Sequence, residues 1–219
     1  MNMLKNTVKK SALLINGGPS PEKRVIDYLP KIDIVLAVDS GFDNAISLGI
    51  TPDVLIGDLD SISTRGLDSA ERQSIELVTY PEDKDKSDLE LAILHASKTC
   101  SSVTIVDSGG GRIDHLWGVF SAMTSDEASI LSCEAFVGSS FIKVVRDHQL
   151  VKPLASKLIS IFPFGGEAEG VSLSGFRWNL NNDTLKPGST RGLSNEIIES
   201  HGDVSVQKGI LLTIQPGLY

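Results

Sequence analysis

Cysteine is nearly missing from this chain. Only Cys100 and Cys133 occur in 219 residues, far apart and outside any metal-like spacing. Neither a structural disulfide nor a zinc site is therefore expected. Long apolar runs are missing too: no segment approaches the roughly 18 residues needed to cross a bilayer. The N-terminal MNMLKNTVKKSALLING carries lysines, but its apolar run is too short for a signal-peptide core, so the expected setting is the cytoplasm. Positive charge is in deficit, with 20 Lys and Arg against 28 Asp and Glu, a net charge of −8. That balance argues against a nucleic-acid or membrane-binding face and is compatible with a cationic substrate. Internal repeats and low-complexity segments are absent. What remains is ordinary soluble composition, 41% hydrophobic and 22% charged, long enough for one large domain or two modest ones.

The acid is concentrated within residues 54–90. Asp58 and Asp60 follow the apolar run Val54-Leu55-Ile56, which reads as a buried strand. Carboxylates two apart, where a strand gives way to loop, can both reach one ligand because the exit turn breaks the strict alternation of faces. A second cluster, Asp83, Asp85 and Asp88, is interleaved with Lys84 and Lys86. Hard oxygen ligands of this kind suit Mg²⁺, which takes one or two protein carboxylates plus substrate phosphates. Either cluster taken alone also reads as a solvated loop with turn and capping roles.

Upstream, Ala12-Leu13-Leu14-Ile15-Asn16 reads as a strand that stops at Gly17-Gly18-Pro19. A short helix is expected over 22–29, and a strand over 34–38 that ends at Asp39-Ser40-Gly41. An acidic residue there sits where open α/β sheets keep their ligands. Helices are expected over 42–48 and 64–74, with a strand over 75–79 between the second and the Pro81-to-Lys86 loop. Ser87-Asp88-Leu89-Glu90 has the form of a capping box, and Leu89, Ala92, Ile93 and Ala96 follow at helical spacing. Asp88 lies on the first turn, where the helix dipole favours negative charge. Capping and metal binding are compatible roles for these residues.

Val103-Thr104-Ile105-Val106 predicts another strand, leading into Asp107-Ser108-Gly109-Gly110-Gly111-Arg112-Ile113-Asp114-His115. Glycines between strand and helix let backbone approach a ligand, the helix start favours anions, and Arg112 adds a cation. The loop is not a Walker A sequence, since no Gly-Lys-Ser/Thr follows. Ile113, Trp117 and Phe120 share a helix face and are expected in the core, with His115 and Asp114 as a local pair. Strand and helix alternate over the first 125 or so residues, which argues for a mainly parallel sheet flanked by helices. From about residue 128 the stretches are short, β-favouring and separated by Gly, Asn or Pro, so an all-β second domain is expected. Trp178, in Gly175-Phe176-Arg177-Trp178-Asn179-Leu180, reads as a packing residue, although a Trp face also holds a flat cationic ring.

Six segments taken in order resemble the thiamine pyrophosphokinase family: Ala37-Val38-Asp39-Ser40-Gly41, Gly57-Asp58-Leu59-Asp60-Ser61, Lys84-Asp85-Lys86-Ser87-Asp88, Gly110-Gly111-Arg112-Ile113-Asp114-His115, Trp178-Asn179-Leu180 and Ser194-Asn195-Glu196. The resemblance covers about residues 12–215. It implies an α/β catalytic, nucleotide-binding domain over 1–139 and a β-sandwich over 140–219 for thiamine binding and dimerisation. It implies a Mg²⁺-dependent enzyme that moves the β,γ-diphosphate of ATP, its co-substrate, to the hydroxyethyl oxygen of thiamine and releases AMP. By the family's motifs Asp58, Asp60 and Asp88 hold the metal and, with Arg112, carry catalysis. Asp39, Lys84, Asp85, Ser87, Gly110, Gly111 and Asp114 line the nucleotide side. Trp178, Ser194 and Asn195 form the thiamine side, in a homodimer whose active site lies near the subunit interface. Ser87 stands where Thr is commoner and keeps the hydroxyl.

Three rivals remain. A nucleotide-sugar glycosyltransferase also places Asp-x-Asp after a strand, but it needs neither the Gly-Gly-Arg-x-Asp-His loop nor a β-domain carrying Trp178. A pyrophosphokinase acting on a hydroxymethylpterin is the nearest enzymatic competitor. A non-catalytic nucleotide-binding regulator has no need of intact carboxylates in every cluster.

Overall fold

Residues 10–219 are described by the computed structural model; residues 1–9, part of the stretch judged too short for a leader, lie outside the described residues. The apolar runs of the first half become strands β1 (Lys10–Ile15), β2 (Ile34–Val38), β3 (Val54–Gly57), β4 (Glu76–Thr79) and β5 (Cys100–Asp107). They pair in the order β5-β1-β2-β3-β4, every pairing parallel. Parallel neighbours need a crossover, and helices α1 (Gly41–Leu48), α2 (Thr64–Arg72) and α3 (Asp88–Ser97) supply it. The stretch expected as a helix over 22–29 is a 3-10 helix, Lys23–Tyr28.

Central strands β1, β2 and β3 are buried and apolar on both faces, as a sheet covered on both sides requires. Edge strand β4 is mostly exposed. On α3 the expected stripe is the buried one: Leu89, Ala92, Ile93 and Ala96 are all inside. Ser87 caps that helix, its hydroxyl accepting from Glu90 N at 3.2 Å. The reciprocal arm of the capping box is replaced, because the Glu90 carboxylate is taken by Lys86.

The chain divides into two compact units, one running to Val106 and including 125–133, the other made of Asp107–Thr124 and Glu134–Tyr219. In the second unit strands β7 (Ser140–Val145), β9 (Leu158–Pro163), β12 (Asn195–Glu196), β14 (Leu211–Gln215) and the end of β6 (Ser132–Val137) form antiparallel pairs. A second antiparallel sheet joins β8 (His148–Val151), β10 (Ala168–Ser174), β11 (Leu180–Leu185) and β13 (Gly202–Ser205). Val145, Ile161 and Leu211 of the first sheet share one core with Val171, Leu173 and Val204 of the second, around the fully buried Phe176. Two sheets closed over one apolar layer make a β-sandwich. The architecture is therefore α/β with a mainly parallel sheet, followed by a β-rich sandwich. Among the described residues no helix is long and apolar enough to cross a membrane.

Helix α4 (Ile113–Thr124) corrects one expectation. Ile113 is 83% exposed and Trp117 63% exposed, while Val119, Ala122 and Met123 are buried. The helix carries two apolar stripes, and the one through Val119 faces inward. Trp117 leans instead on Phe164, ring centroids 5.5 Å apart.

Leu55 is fully buried beside Ala37, Phe42 and Ala70. Leu55→Ala is expected to cost about 2–5 kcal/mol, read as a lower urea midpoint at unchanged slope. A loss well under that range would show this layer to be loosely packed.

Candidate active site

The turn after β3 is built around a partly buried leucine. Leu59 packs against the cluster of Ala37, Phe42, Leu55 and Ala70. Its φ of 65° places it in the left-handed region, and its N–H donates to Asp39 Oδ1 at 3.0 Å. With Leu59 drawn inward, the carboxylates of Asp58 and Asp60 on either side come to one place. One oxygen each from Asp39, Asp58 and Asp60 lie within 4.8 Å of one another. Gly57 makes the approach possible, since a Cβ at that position would collide with the Asp39 carboxylate.

Asp88 joins this group through a lysine. Lys84 Nζ lies 3.0 Å from Asp58 Oδ2 and 3.2 Å from Asp88 Oδ1. Asp88 Oδ1 is nonetheless buried without an aligned hydrogen-bond donor, so the ammonium is near it but not directed at it. Lys86, on the same loop, reaches Glu90 and, at 2.6 Å, Glu127. Asp85 is exposed, and the Ser87 hydroxyl is spent on capping α3.

Crowding shows in the proton affinities. Burial, reinforced by the charge of Asp88, pushes the Asp39 carboxyl up to about 6. Asp58 is held below the carboxylate range by its hydrogen bond from Lys84, whereas Asp60 is raised by its neighbour Asp58. Burial acts to lower the pKa of Lys84, but the hydrogen bond to Asp58 and the negative charge of nearby Asp88 outweigh it and the ammonium is stabilised. One cation among four carboxylates leaves the group under-neutralised. An all-oxygen donor set with an orphaned buried carboxylate oxygen fits a hard divalent cation such as Mg²⁺.

The remaining expected site residues belong to the second unit. In the glycine loop Gly109 and Gly111 have φ of 68° and 83°, turns that a side chain would strain. Gly109 N donates to Asp107 Oδ1 at 2.7 Å and Gly110 N to Ser108 Oγ at 3.1 Å. The side-chain partner of Asp114 is Arg112 and not the expected His115 ring. Its carboxylate is held by Arg112, 2.5 Å from Nη2, which lowers it to about 2.

On the sandwich, Asn195 is buried while Trp178 is 59% exposed. Asn195 Nδ2 donates to Trp178 O at 2.8 Å, and its Oδ1 accepts from Trp178 N at 3.2 Å and from Glu196 N at 2.8 Å. The asparagine thus grips the Trp178 peptide and holds the indole out toward solvent. Arg177 lies over the indole, 5.7 Å from its centroid, and pairs with Glu196 at 2.8 Å. Ser194, at φ 56°, is fixed by donation from its N–H to Ser160 Oγ at 3.1 Å.

Sequence reasoning gave no holding role to three residues. Asp43 accepts from Ser63 N at 2.9 Å and Ser63 Oγ at 2.7 Å; Lys86 and Glu127 brace the lysine-bearing loop. The only signal for Asp43 was its place in the first turn of a predicted helix. Nothing local marks Glu127, 41 residues from Lys86.

Because the folded Asp39 carboxyl binds its proton more tightly than an unfolded one, folding is favoured as pH falls through about 6. In chelator, the melting temperature is expected to rise between pH 7 and pH 5.5, and Asp39→Asn should flatten that rise. An unchanged slope in the variant would assign the effect elsewhere.

The chain is similar to known proteins over most of its length. The family model described as thiamin pyrophosphokinase, catalytic domain, matches residues 25–132, and that described as thiamin pyrophosphokinase, vitamin B1 binding domain, matches 142–211. The thiamine pyrophosphokinase of Bacillus subtilis is 29% identical over 212 residues, 94% of this chain and 98% of its own. A crystal structure of thiamine pyrophosphokinase from Bacillus subtilis superposes with a TM-score of 0.82 at 27% identity, covering 95% of this chain and 99% of that one. The thiamin pyrophosphokinase structure from Geobacillus thermodenitrificans gives 0.80 at 25% identity, covering 94% and 97%. With both of its domain models matched in order across most of the sequence, the chain belongs to the thiamin pyrophosphokinase family.

Proposed function

We propose that this chain catalyses the reaction for which its family is named, transferring the β,γ-diphosphate of ATP to the hydroxyethyl oxygen of thiamine with release of AMP. The observation that carries the reading is the meeting of Asp39, Asp58 and Asp60 within 4.8 Å at the carboxyl ends of β2 and β3, with Asp88 drawn in by Lys84. Neither the sugar-transferase nor the pterin reading finds support among the curated relatives, five of which carry thiamine pyrophosphokinase names.

Asp58, Asp60 and Asp88 would hold Mg²⁺, with Asp39 beside them. When bound, the cation neutralises phosphate charge and polarises the phosphorus under attack. The protein's own share is positioning and charge. Lys84, Asp85 and Ser87 line the nucleotide loop, and Lys84 offsets charge between Asp58 and Asp88. Gly110, Gly111 and Arg112 meet phosphate, with Asp114 orienting the guanidinium. The thiamine oxygen attacks the β-phosphorus in line, the bond from that phosphorus to the α,β-bridging oxygen breaks, and AMP departs. The hydroxyl proton passes to a carboxylate, for which Asp88, with an oxygen lacking a hydrogen-bond donor, is the residue we assign. Trp178, Ser194 and Asn195 form the thiamine side, Asn195 by holding the tryptophan.

Division of labour follows the two sequence regions: catalysis on 1–139, thiamine binding and dimerisation on 140–219. We place the working form as a cytoplasmic homodimer with its active site near the subunit interface, to be checked by sedimentation.

Protein mixed with ATP, Mg²⁺ and thiamine should yield AMP and thiamine diphosphate, and a hydroxymethylpterin in place of thiamine should yield neither. Asp60→Asn and Asp88→Asn are each expected to cut kcat by at least about a hundredfold with melting curves intact. Near-normal turnover in both would remove the metal-site assignment. Trp178→Ala should raise KM for thiamine more than KM for ATP.

A further inference from the structure

We infer that Asp43 is a positioning residue of the metal site, setting the Asp58–Asp60 turn without touching the cation. The inference rests on the reading of the carboxylate group as the Mg²⁺ site. Residues 58–63 are laced to residues 39–43 at three points in step. Leu59 N donates to Asp39 Oδ1 at 3.0 Å, Ser40 N to Ser61 Oγ at 3.3 Å, and Ser63 N and Oγ to the two oxygens of Asp43 at 2.9 and 2.7 Å. The first two ties lie beside or within the acidic group itself. The third is the far anchor, and it is the only one made through both oxygens of a carboxylate.

Ser63 does double duty. Its Oγ also accepts from Gly66 N at 2.9 Å and so caps α2. Asp43 therefore fixes the helix start and the end of the Asp58–Ser61 turn in one stroke. The space for this is made by the absence of a side chain at position 66, where a Cβ would stand 2.6 Å from Asp43 Oδ1 and 3.0 Å from Ile62 Cγ1. Gly66 has no positive φ, so its backbone does not demand glycine. What demands it is the carboxylate.

That separation supplies the test. Gly66→Ala favours the helix by propensity while displacing Asp43 from Ser63, and Asp43→Asn removes the carboxylate at constant size. Binding of Mn²⁺ alone is followed by water-proton relaxation on the full chain, alongside melting in chelator and the Mg²⁺ dependence of AMP formation. Both variants are expected to weaken Mn²⁺ by roughly fivefold or more, in line with one lost charge-assisted hydrogen bond, and to raise the Mg²⁺ needed for half-maximal rate. Gly66→Ala should melt no lower than the parent. A merely structural role predicts lower melting in Asp43→Asn with Mn²⁺ affinity within twofold of the parent in both variants, and that result overturns the inference. Asp60→Asn separates the two levels: if it abolishes Mn²⁺ binding while Asp43→Asn and Gly66→Ala leave it untouched, only the role of Asp43 falls. If the parent binds no Mn²⁺, the metal-site reading falls and takes the inference with it.

Discussion

Like charges held close together in a half-buried place are the constraint that the first unit is built to meet. Asp39, Asp58 and Asp60 converge in a partly buried place where they repel one another, and Lys84 is the one cation hydrogen-bonded among them in the described residues. Such a group opposes folding unless other interactions over-determine it. Here they do: the Leu59 side chain is anchored in the α/β core, its N–H is bound to Asp39, and the helices on either side are tied to each other through Ser63. The strain lies at the ends of strands whose interiors are fully apolar and carry the stability. A ligand of opposite charge relieves what the fold alone leaves unbalanced, which couples ligand binding to rigidity in this corner.

Lys84 settles which carboxylate keeps its charge. Asp58, directly bonded to it, is lowered, while Asp60 and Asp39, which lack that bond, are raised. Three chemically identical side chains thus differ in proton affinity, Asp39 chiefly through burial and Asp58 and Asp60 through their partners. The bracing of the lysine's loop by Lys86 against Glu90 and Glu127 belongs to the same scheme, because a cation that wandered would erase the difference.

Much of this was legible in the sequence because its causes are local. Asp58 and Asp60 flank one residue at a strand's end, Lys84 and Asp88 are four apart, and Ser87 precedes a helical stripe; spacing alone reports all of these. Strands β1, β2 and β3 announced themselves through short apolar runs, Ala12-Leu13-Leu14-Ile15 in the first, that stop at Asn, Asp or Gly. Strands β8, β11, β12 and β13 did not, because His148–Val151, Leu180–Leu185 and Gly202–Ser205 have no continuous apolar run and β12 is two residues long. On α4 apolar spacing was ambiguous, since two stripes competed and only tertiary packing chose between them. The ties of Asp43 to Ser63 and of Lys86 to Glu127 join residues 20 and 41 positions apart, beyond any local pattern. The pairing of Arg112 with Asp114 shows the converse error, in which an adjacent His115 was given a role that a guanidinium two residues away fills better.

The clamp on the sandwich has one further consequence. Asn195 reads the main chain at position 178, taking its N–H and C=O, and makes no use of the indole. The socket is therefore indifferent to what is plugged into it. Exchanging the ring for another side chain leaves the mounting intact, so what this loop displays can change by single substitutions while the way it is displayed stays the same.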